Sequence, residues 1–266
     1  MMYSYEREYS QGGEPMKKAT FPSFLMILML TSFLTNSKGD TSKDSDVTQN
    51  ADITAAEVAA NYVRAIGGIE ALKKISEKKI RYRVHMFGRD GYLMERQWKR
   101  PDVMRQGPPE ADMYTLTEGV KSWRVTPDGR KELPASVSAS FARIADIDGP
   151  LVDHEKKGLR MEYAGSERYD MSELHHLKLT FEDGIEWDFF FDSQTGLLRK
   201  TRQPSFVMIN NEIKPGGDIW TYYYDYRQVG GIKIAHLWVQ VAEDHVHSFV
   251  VEEADIEQPN NTISNG

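Results

Sequence analysis

The feature that most limits the fold of this chain is a change of hydrophobic period. From Lys79 to about Asp255 apolar side chains alternate with polar ones, the period of a half-buried strand, and turn signals such as Gly88-Arg89-Asp90-Gly91 and Pro127-Asp128-Gly129 separate the segments. KIRYRVHMF, YLMERQWK, DMYTLTE and KSWRVT follow one another through connections with no room for a crossover helix. Parallel neighbours require such crossovers, so the sheet is predicted to be antiparallel. One stretch breaks the alternation. In LPASVSASFARIADIDGP, Val137, Phe141 and Ile144 share one helical face between Pro134 and Gly149-Pro150, which reads as a helical insertion in a meander.

Upstream of the strands the period is helical. Thr54 and Glu57 make a capping box, in which each side chain satisfies a backbone donor of the other. Ala55, Val58, Ala59, Tyr62, Val63 and Ile66 recur at helical spacing, Gly67-Gly68 ends the element, and a short second helix is predicted over Ile69 to Ile75.

Turn chemistry sets which residues face each other, and a slip of one residue would invert every face. In LKLTFEDGIEWDFFF a two-residue Asp183-Gly184 turn would set Leu179 against Asp188. A three-residue loop with Gly184 left-handed instead pairs Phe181 with Ile185, Leu179 with Trp187, Leu177 with Phe189 and Lys178 with Asp188, giving one apolar and one charged face. In the last long hairpin a two-residue turn at Gly230-Gly231 sets Val229 against Ile232. Counting back, Tyr226 meets Ala235, Tyr224 meets Leu237, Tyr222 meets Val239 and Trp220 meets Val241, while Tyr223 meets Trp238, Thr221 meets Gln240 and Asp225 meets His236. The four-ring face is predicted to line the concavity, and Tyr223 with Trp238 to form a clasp outside it.

The termini carry a different message. Residues 1–15 are read as a mis-assigned start ahead of Met16, and residues 16–39, with Lys17 and Lys18 before the apolar run Phe24 to Leu34, as a secretory signal peptide. That run is too short to span a bilayer, which takes ~20 residues. Residues 40–53 are read as a flexible linker, 54–256 as one domain and 257–266 as a disordered tail. The chain has no cysteine, which excludes a disulfide framework, a thiol nucleophile and a lipid-anchored cysteine. Its net charge of −7 becomes −8 once the four Lys/Arg and three Asp/Glu of residues 1–39 are left out. Such a balance argues against sequence-independent nucleic-acid binding, which relies on clustered Lys and Arg.

The segments AAEVAANYVRAIGGIEALKKI, GPLVDHEKKGLRMEYAGSERYD, LKLTFEDGIEWDFFFDSQTG and TYYYDYRQVGGIKIAHLWVQV, in that order, resemble the outer-membrane lipoprotein-sorting proteins of the LolA/LolB-like superfamily over roughly Thr54 to Asp255. The resemblance implies an α+β fold: an unclosed antiparallel β-barrel, or half-barrel, wrapped around an N-terminal helix with a helical lid insertion. It also implies a periplasmic, non-enzymatic protein without cofactors that binds lipoprotein or lipid acyl chains in an apolar cavity for transfer towards the outer membrane. Inner- and outer-membrane transport components would be its partners. A non-carrier envelope sensor or interaction module on the same fold is the alternative. A lid-locking arginine is implied as well, but the sequence does not place it among Arg81, Arg83, Arg96 and Arg100.

The candidate cavity wall is Leu177, Leu179, Trp187, Phe189, Trp220, Tyr222, Tyr224, Leu237 and Val239, with Val137, Phe141 and Ile144 as the lid. The same residues would serve as ordinary core against the protein's own helices. His245-x-His247, His175-His176 and Asp153-His154 do not show by spacing the three or four converging ligands that a metal needs. No serine sits in a nucleophile elbow.

Overall fold

In a computed structural model of the chain, residues 53–86, 89–209, 212–242 and 245–258 are described. The expected start at Met16, the signal peptide, and nearly all of the linker and tail lie outside them.

Helix α1 spans Ala55–Ala65. At its start Thr54 N donates to Glu57 Oε2 at 2.8 Å while Glu57 N donates to Thr54 Oγ1 at 3.2 Å, the reciprocal cap expected from the sequence. Helix α2 spans Ile69–Lys74. Strands β1 (Glu77–Met86), β2 (Arg89–Lys99), β3 (Val103–Gly107), β4 (Tyr114–Glu118), β5 (Lys121–Thr126) and β6 (Gly129–Glu132) follow. Helix α3 (Ala135–Ala145) and a short 3₁₀ turn at His154–Lys157 interrupt the meander. Then come β7 (Arg160–Tyr169), β8 (Ser172–Thr180), β9 (Glu186–Asp192), β10 (Leu198–Ile209), β11 (Glu212–Val229), β12 (Ile232–Ala242) and β13 (His245–Glu257). The short β3 and β6 were not foreseen, because VMRQG and GRKE carry too few apolar residues to show a period.

The described strands form one antiparallel sheet in the order β6-β5-β4-β3-β2-β1-β13-β12-β11-β10-β9-β8-β7. Every neighbour in that order is a hairpin partner except β1 and β13, which bring the two ends of the domain together in mid-sheet. The free edges are therefore β6 and β7. The chain between them is the helical insertion, so α3 and the segment behind it bridge the two edges of an unclosed barrel.

The predicted registers appear as read. Leu177 opposes Phe189, Lys178 opposes Asp188 and Leu179 opposes Trp187, with Phe181 N donating to Ile185 O across the loop. Gly184 has φ +80°. In the β11–β12 hairpin Trp220 opposes Val241, Tyr222 opposes Val239, Tyr223 opposes Trp238 and Tyr224 opposes Leu237. One pairing differs. Asp225 has φ +52°, which breaks the alternation, and its carboxylate is held by its neighbour Arg227 at 2.6 Å rather than by His236.

Two clusters form the core. Val58 and Ala59 of α1 pack with Leu151, Leu177, Leu179, Phe189 and Phe191, over the β7–β9 end of the sheet. Phe141 of α3 packs with Leu72, Ile75, Tyr82, Trp98 and Met104 at the other end. The joint between α1 and α2 docks on the β11–β12 turn: Lys233 N donates to Ile66 O at 2.7 Å, and a Cβ on Gly67 would lie 2.6 Å from the Gly231 carbonyl oxygen.

Candidate functional site

Following the register strand by strand separates the two faces of the sheet. Phe189 opposes Leu177 on β8 and Thr201 on β10, Thr201 opposes Thr221 on β11, and Thr221 opposes Gln240 on β12. This is the face that carries α1, so it is the concave one. Tyr223 lies on it, packed against the α1 cluster, and so does its partner Trp238. Asp188 opposes Arg202, and Arg202 opposes Trp220, so Trp220 and Tyr222 belong to the other, convex face.

This corrects the cavity wall expected from the sequence. Leu177, Leu179, Trp187 and Phe189 are concave, and Leu177 and Leu179 are fully covered by the protein's own core, at 0% exposure. Trp220, Tyr222, Tyr224, Leu237 and Val239 stand on the convex side. There Tyr222 stacks on Tyr169 at 6.0 Å, Trp220 lies 5.9 Å from Phe190, and the buried Lys200 ammonium sits among Tyr169, Phe190 and Trp220 at 4.4 to 4.9 Å while pairing with Glu167. Hairpin periodicity gives pairs, not sides, and both sides of this hairpin carry rings. The clasp of Tyr223 and Trp238 is in fact part of the interior.

The interior has an aromatic floor. Tyr82 lies 5.2 Å from Trp238 and 5.9 Å from Phe249, and Trp238 stacks on Phe249 at 5.3 Å with ring planes 7° apart. The helices approach the sheet most closely at its flanks, α3 over β4 and β5 and α1 over β7 and β8. The floor lies on the central strands between them, and Trp238, Phe249, Met94 and Tyr223 stay half-buried there. Burial raises the Tyr223 hydroxyl pKa above its ordinary value. Past the left-handed Asp225, the Tyr226 hydroxyl donates to Leu198 O at 2.8 Å.

Val137, Phe141 and Ile144 come together on the underside of α3, where Phe141 is buried and the other two pack on the same cluster. Uncharged bonds fix α3 to the β2–β5 flank. Trp98 Nε1 donates to Ile144 O at 2.7 Å, and Ser122 N donates to Ser138 Oγ at 3.2 Å. Charged contacts fix the other side. Arg143 pairs with Asp183 in the β8–β9 loop and lies 4.6 Å over Phe181. Lys73 of α2 reaches Asp148 at 2.9 Å and Asp153 at 2.8 Å. Arg100 donates through Nε to Ile75 O at 2.6 Å, through Nη2 to Leu72 O at 2.9 Å, and to both carboxylate oxygens of Asp148. Of the four arginines considered, Arg100 is the one that ties a helix to the insertion. Burial raises the Asp148 pKa, but the hydrogen bonds from Arg100 and Lys73 outweigh it and hold that carboxyl below its ordinary range. Hydrogen bonds from Lys73 and Lys156 hold Asp153 down to about 2.

The histidines scatter. His176 Nε2 donates to Asp188 at 2.6 Å on the convex face, His175 Nδ1 lies 3.2 Å from the Tyr163 hydroxyl, and the His245 and His247 rings lie 4.6 Å apart on β13, tilted by 38°.

An open antiparallel sheet curled over its own helices, with a helical strap joining its free edges, defines the class as an unclosed half-barrel. Its fold is that of the LolA superfamily. The chain is similar to a LolA superfamily protein from Nitrosomonas europaea, with a TM-score of 0.54 and 13% identity over 78% of this chain and 95% of that one. It is also similar to an outer membrane lipoprotein-sorting protein domain from Vibrio parahaemolyticus, with a TM-score of 0.50 and 11% identity over 76% and 92% of the two chains. No protein-family model matches the chain, and no curated protein matches it in sequence.

Proposed function

We propose that this protein binds the acyl chains of a lipid or lipoprotein on the concave floor and carries them through the periplasm towards the outer membrane. One observation carries this reading: beside the buried Tyr82 the stacked rings of Trp238 and Phe249 form an apolar floor on the central strands that the protein's own core leaves half-buried. Burying apolar surface there would supply the affinity, at about 25 cal/mol per Å². The fold's likeness to a lipoprotein-sorting domain supports the same direction. The interaction-module alternative draws on the convex face, where Tyr224 and Val250 are 36% and 39% exposed.

The test is to recover the protein from the envelope fraction of its own cells and identify co-purifying lipids by mass spectrometry, alongside uptake of a fluorescent fatty acid by the purified protein. A stoichiometric lipid and saturable uptake are expected. An empty protein that takes up no fatty acid would put the interaction module in its place.

A further inference from the structure

We propose that the concave face selects amphiphiles with an anionic headgroup, a carboxylate or a phosphate, through Lys78 and Arg96; this rests on the lipid-binding reading above. Both cations point into the concavity. Lys78 opposes Trp98, and Arg96 opposes Ile80 on β1 and Gln106 on β3. They converge on one indole: the Lys78 ammonium lies 4.1 Å and the Arg96 guanidinium 5.5 Å from the Trp98 ring, and Arg96 is also 5.9 Å from Tyr82. Tyr82 is the near edge of the aromatic floor, so an acyl chain lying on Trp238 and Phe249 would bring its head to this pair.

Charge pairing on the two faces is what distinguishes them. On the convex side of the same strands Arg81 pairs with Glu95 and Glu253, Arg83 with Glu252, and Arg105 with Glu95. On the concave side, among the described residues, neither Lys78 nor Arg96 has a carboxylate within ion-pair distance, and the Arg96 Nε donates to the neutral Gln106 Oε1 at 2.6 Å. The acids whose charge reaches Lys78 belong to the insertion and are already engaged, Asp146 by Lys157 and Asp148 by Arg100 and Lys73. A half-buried cation without an anion is an unfavourable arrangement that a bound anion relieves. Consistent with this, burial pushes the Lys78 ammonium down to about 8, and Arg96 adds to the effect. Both cations lie over the Trp98 ring, which holds them in place before any ligand arrives.

The experiment uses two matched pairs of probes with the same sixteen-carbon chain: palmitic acid against hexadecanol, and palmitoyl lysophosphatidic acid against monopalmitoylglycerol. Binding to the purified protein is followed by tryptophan fluorescence at constant ionic strength. The charged member of at least one pair is expected to bind about tenfold more tightly than its neutral partner. The pair that shows the preference names the headgroup. In Lys78→Gln/Arg96→Gln that preference is expected to shrink to about twofold while the neutral probes bind as before. Equal affinities within both pairs, or a preference that survives the double substitution, would overturn the headgroup inference and leave the acyl-binding reading standing. Failure of all four probes to bind would overturn both. The comparison within each pair needs no variant, so it stands even if the double substitution fails to fold.

Discussion

Arg100 grips Asp148 with both terminal nitrogens, at 2.5 and 3.0 Å, while the same side chain takes the carbonyls of Leu72 and Ile75 at the end of α2. One residue thereby satisfies helix-end acceptors and fastens the strap between the sheet edges. Arg100→Met leaves the Asp148 carboxylate, whose side chain is 7% exposed, with only Lys73. Urea unfolding should show a loss of about 2 kcal/mol, below the ~3–5 of a fully buried pair because Arg100 is partly exposed. Arg100→Lys should recover less than half of it, since an ammonium cannot fork across a carboxylate and two carbonyls. A change within experimental error in both variants would mean that the strap is held elsewhere.

Acid should loosen the same strap. Asp148 and Asp153 both titrate below their unfolded value of 3.8, Asp153 at about 2. A folded pKa below the unfolded one gives stability that is present above the unfolded value and lost as pH falls through the folded one. Urea midpoints should therefore drop between about pH 4 and pH 2. Asp146 has the opposite sign, because burial raises its pKa, so it does not add to the acid loss. Limited pepsin cleavage at Leu151 or Leu159, relative to an unfolded control substrate, should accelerate over the same pH range. In Asp148→Asn the drop should be shallower; a drop as steep as in the unmodified protein would assign it to other carboxylates.

Gly67→Ala tests the dock between the helical joint and the hairpin turn. At φ +130° an alanine is strained, and its Cβ would meet the Gly231 carbonyl oxygen at 2.6 Å, a backbone atom that cannot swing aside. Strain at such a position and the displaced contact together should cost about 2–3 kcal/mol in denaturant unfolding. Gly68→Ala, also at positive φ but with open space around its Cβ, should cost less.

Trp238 and Tyr222 stand on opposite faces, and they should respond oppositely. Trp238→Ala removes a ring that stacks on Phe249 and tilts against Tyr82, and should weaken uptake of a fluorescent fatty acid by about tenfold, a share of the energy that one indole contributes on burial. Tyr222→Glu changes only the convex side and should leave uptake unchanged. The reverse pattern, loss with Tyr222→Glu and none with Trp238→Ala, would place the ligand on the outer face.

How much of this was legible depends on the reach of each signal. The Thr54–Glu57 cap, the left-handed Gly184 loop and the Gly230-Gly231 turn are written within a few residues, and each appears as read. The side of each hairpin is not local. Lys178 and Asp188 were already recognisable as a charged face, and carrying that face one strand further, through Arg202 to Trp220, puts the rings of β11 outside. That step was obscured by β10, where the register shifts between Leu198 and Lys200. The pairing of β1 with β13 joins segments from opposite ends of the domain, and no turn encodes it. The floor is built on that pairing, since Phe249 opposes Val84 across it. Hence Tyr82, Trp238 and Phe249 could be read as strand residues but not as neighbours.

Lys78 offers the test in which stability and binding should diverge. Burial and the nearby Arg96 lower its pKa from 10.5 to about 8, so between those values the unfolded chain holds a proton that the folded one has released. Stability from this group must then rise as pH climbs from about 8 towards 10.5, and at neutral pH the buried ammonium is a net burden. Lys78→Met keeps the aliphatic stem on Trp98 and removes the charge. At pH 7 it should stabilise the protein by about 1 kcal/mol, well below the full linkage figure because the side chain is only half-buried. By pH 10 most of the advantage should be gone, as the folded lysine is neutral there and only the still protonated unfolded chain separates the two. A variant that is less stable than the unmodified protein at pH 7 would show that the Lys78 charge is already compensated within the fold. A more stable variant that has lost its preference for the charged probe would mean that the protein retains an unfavourable cation for what it binds.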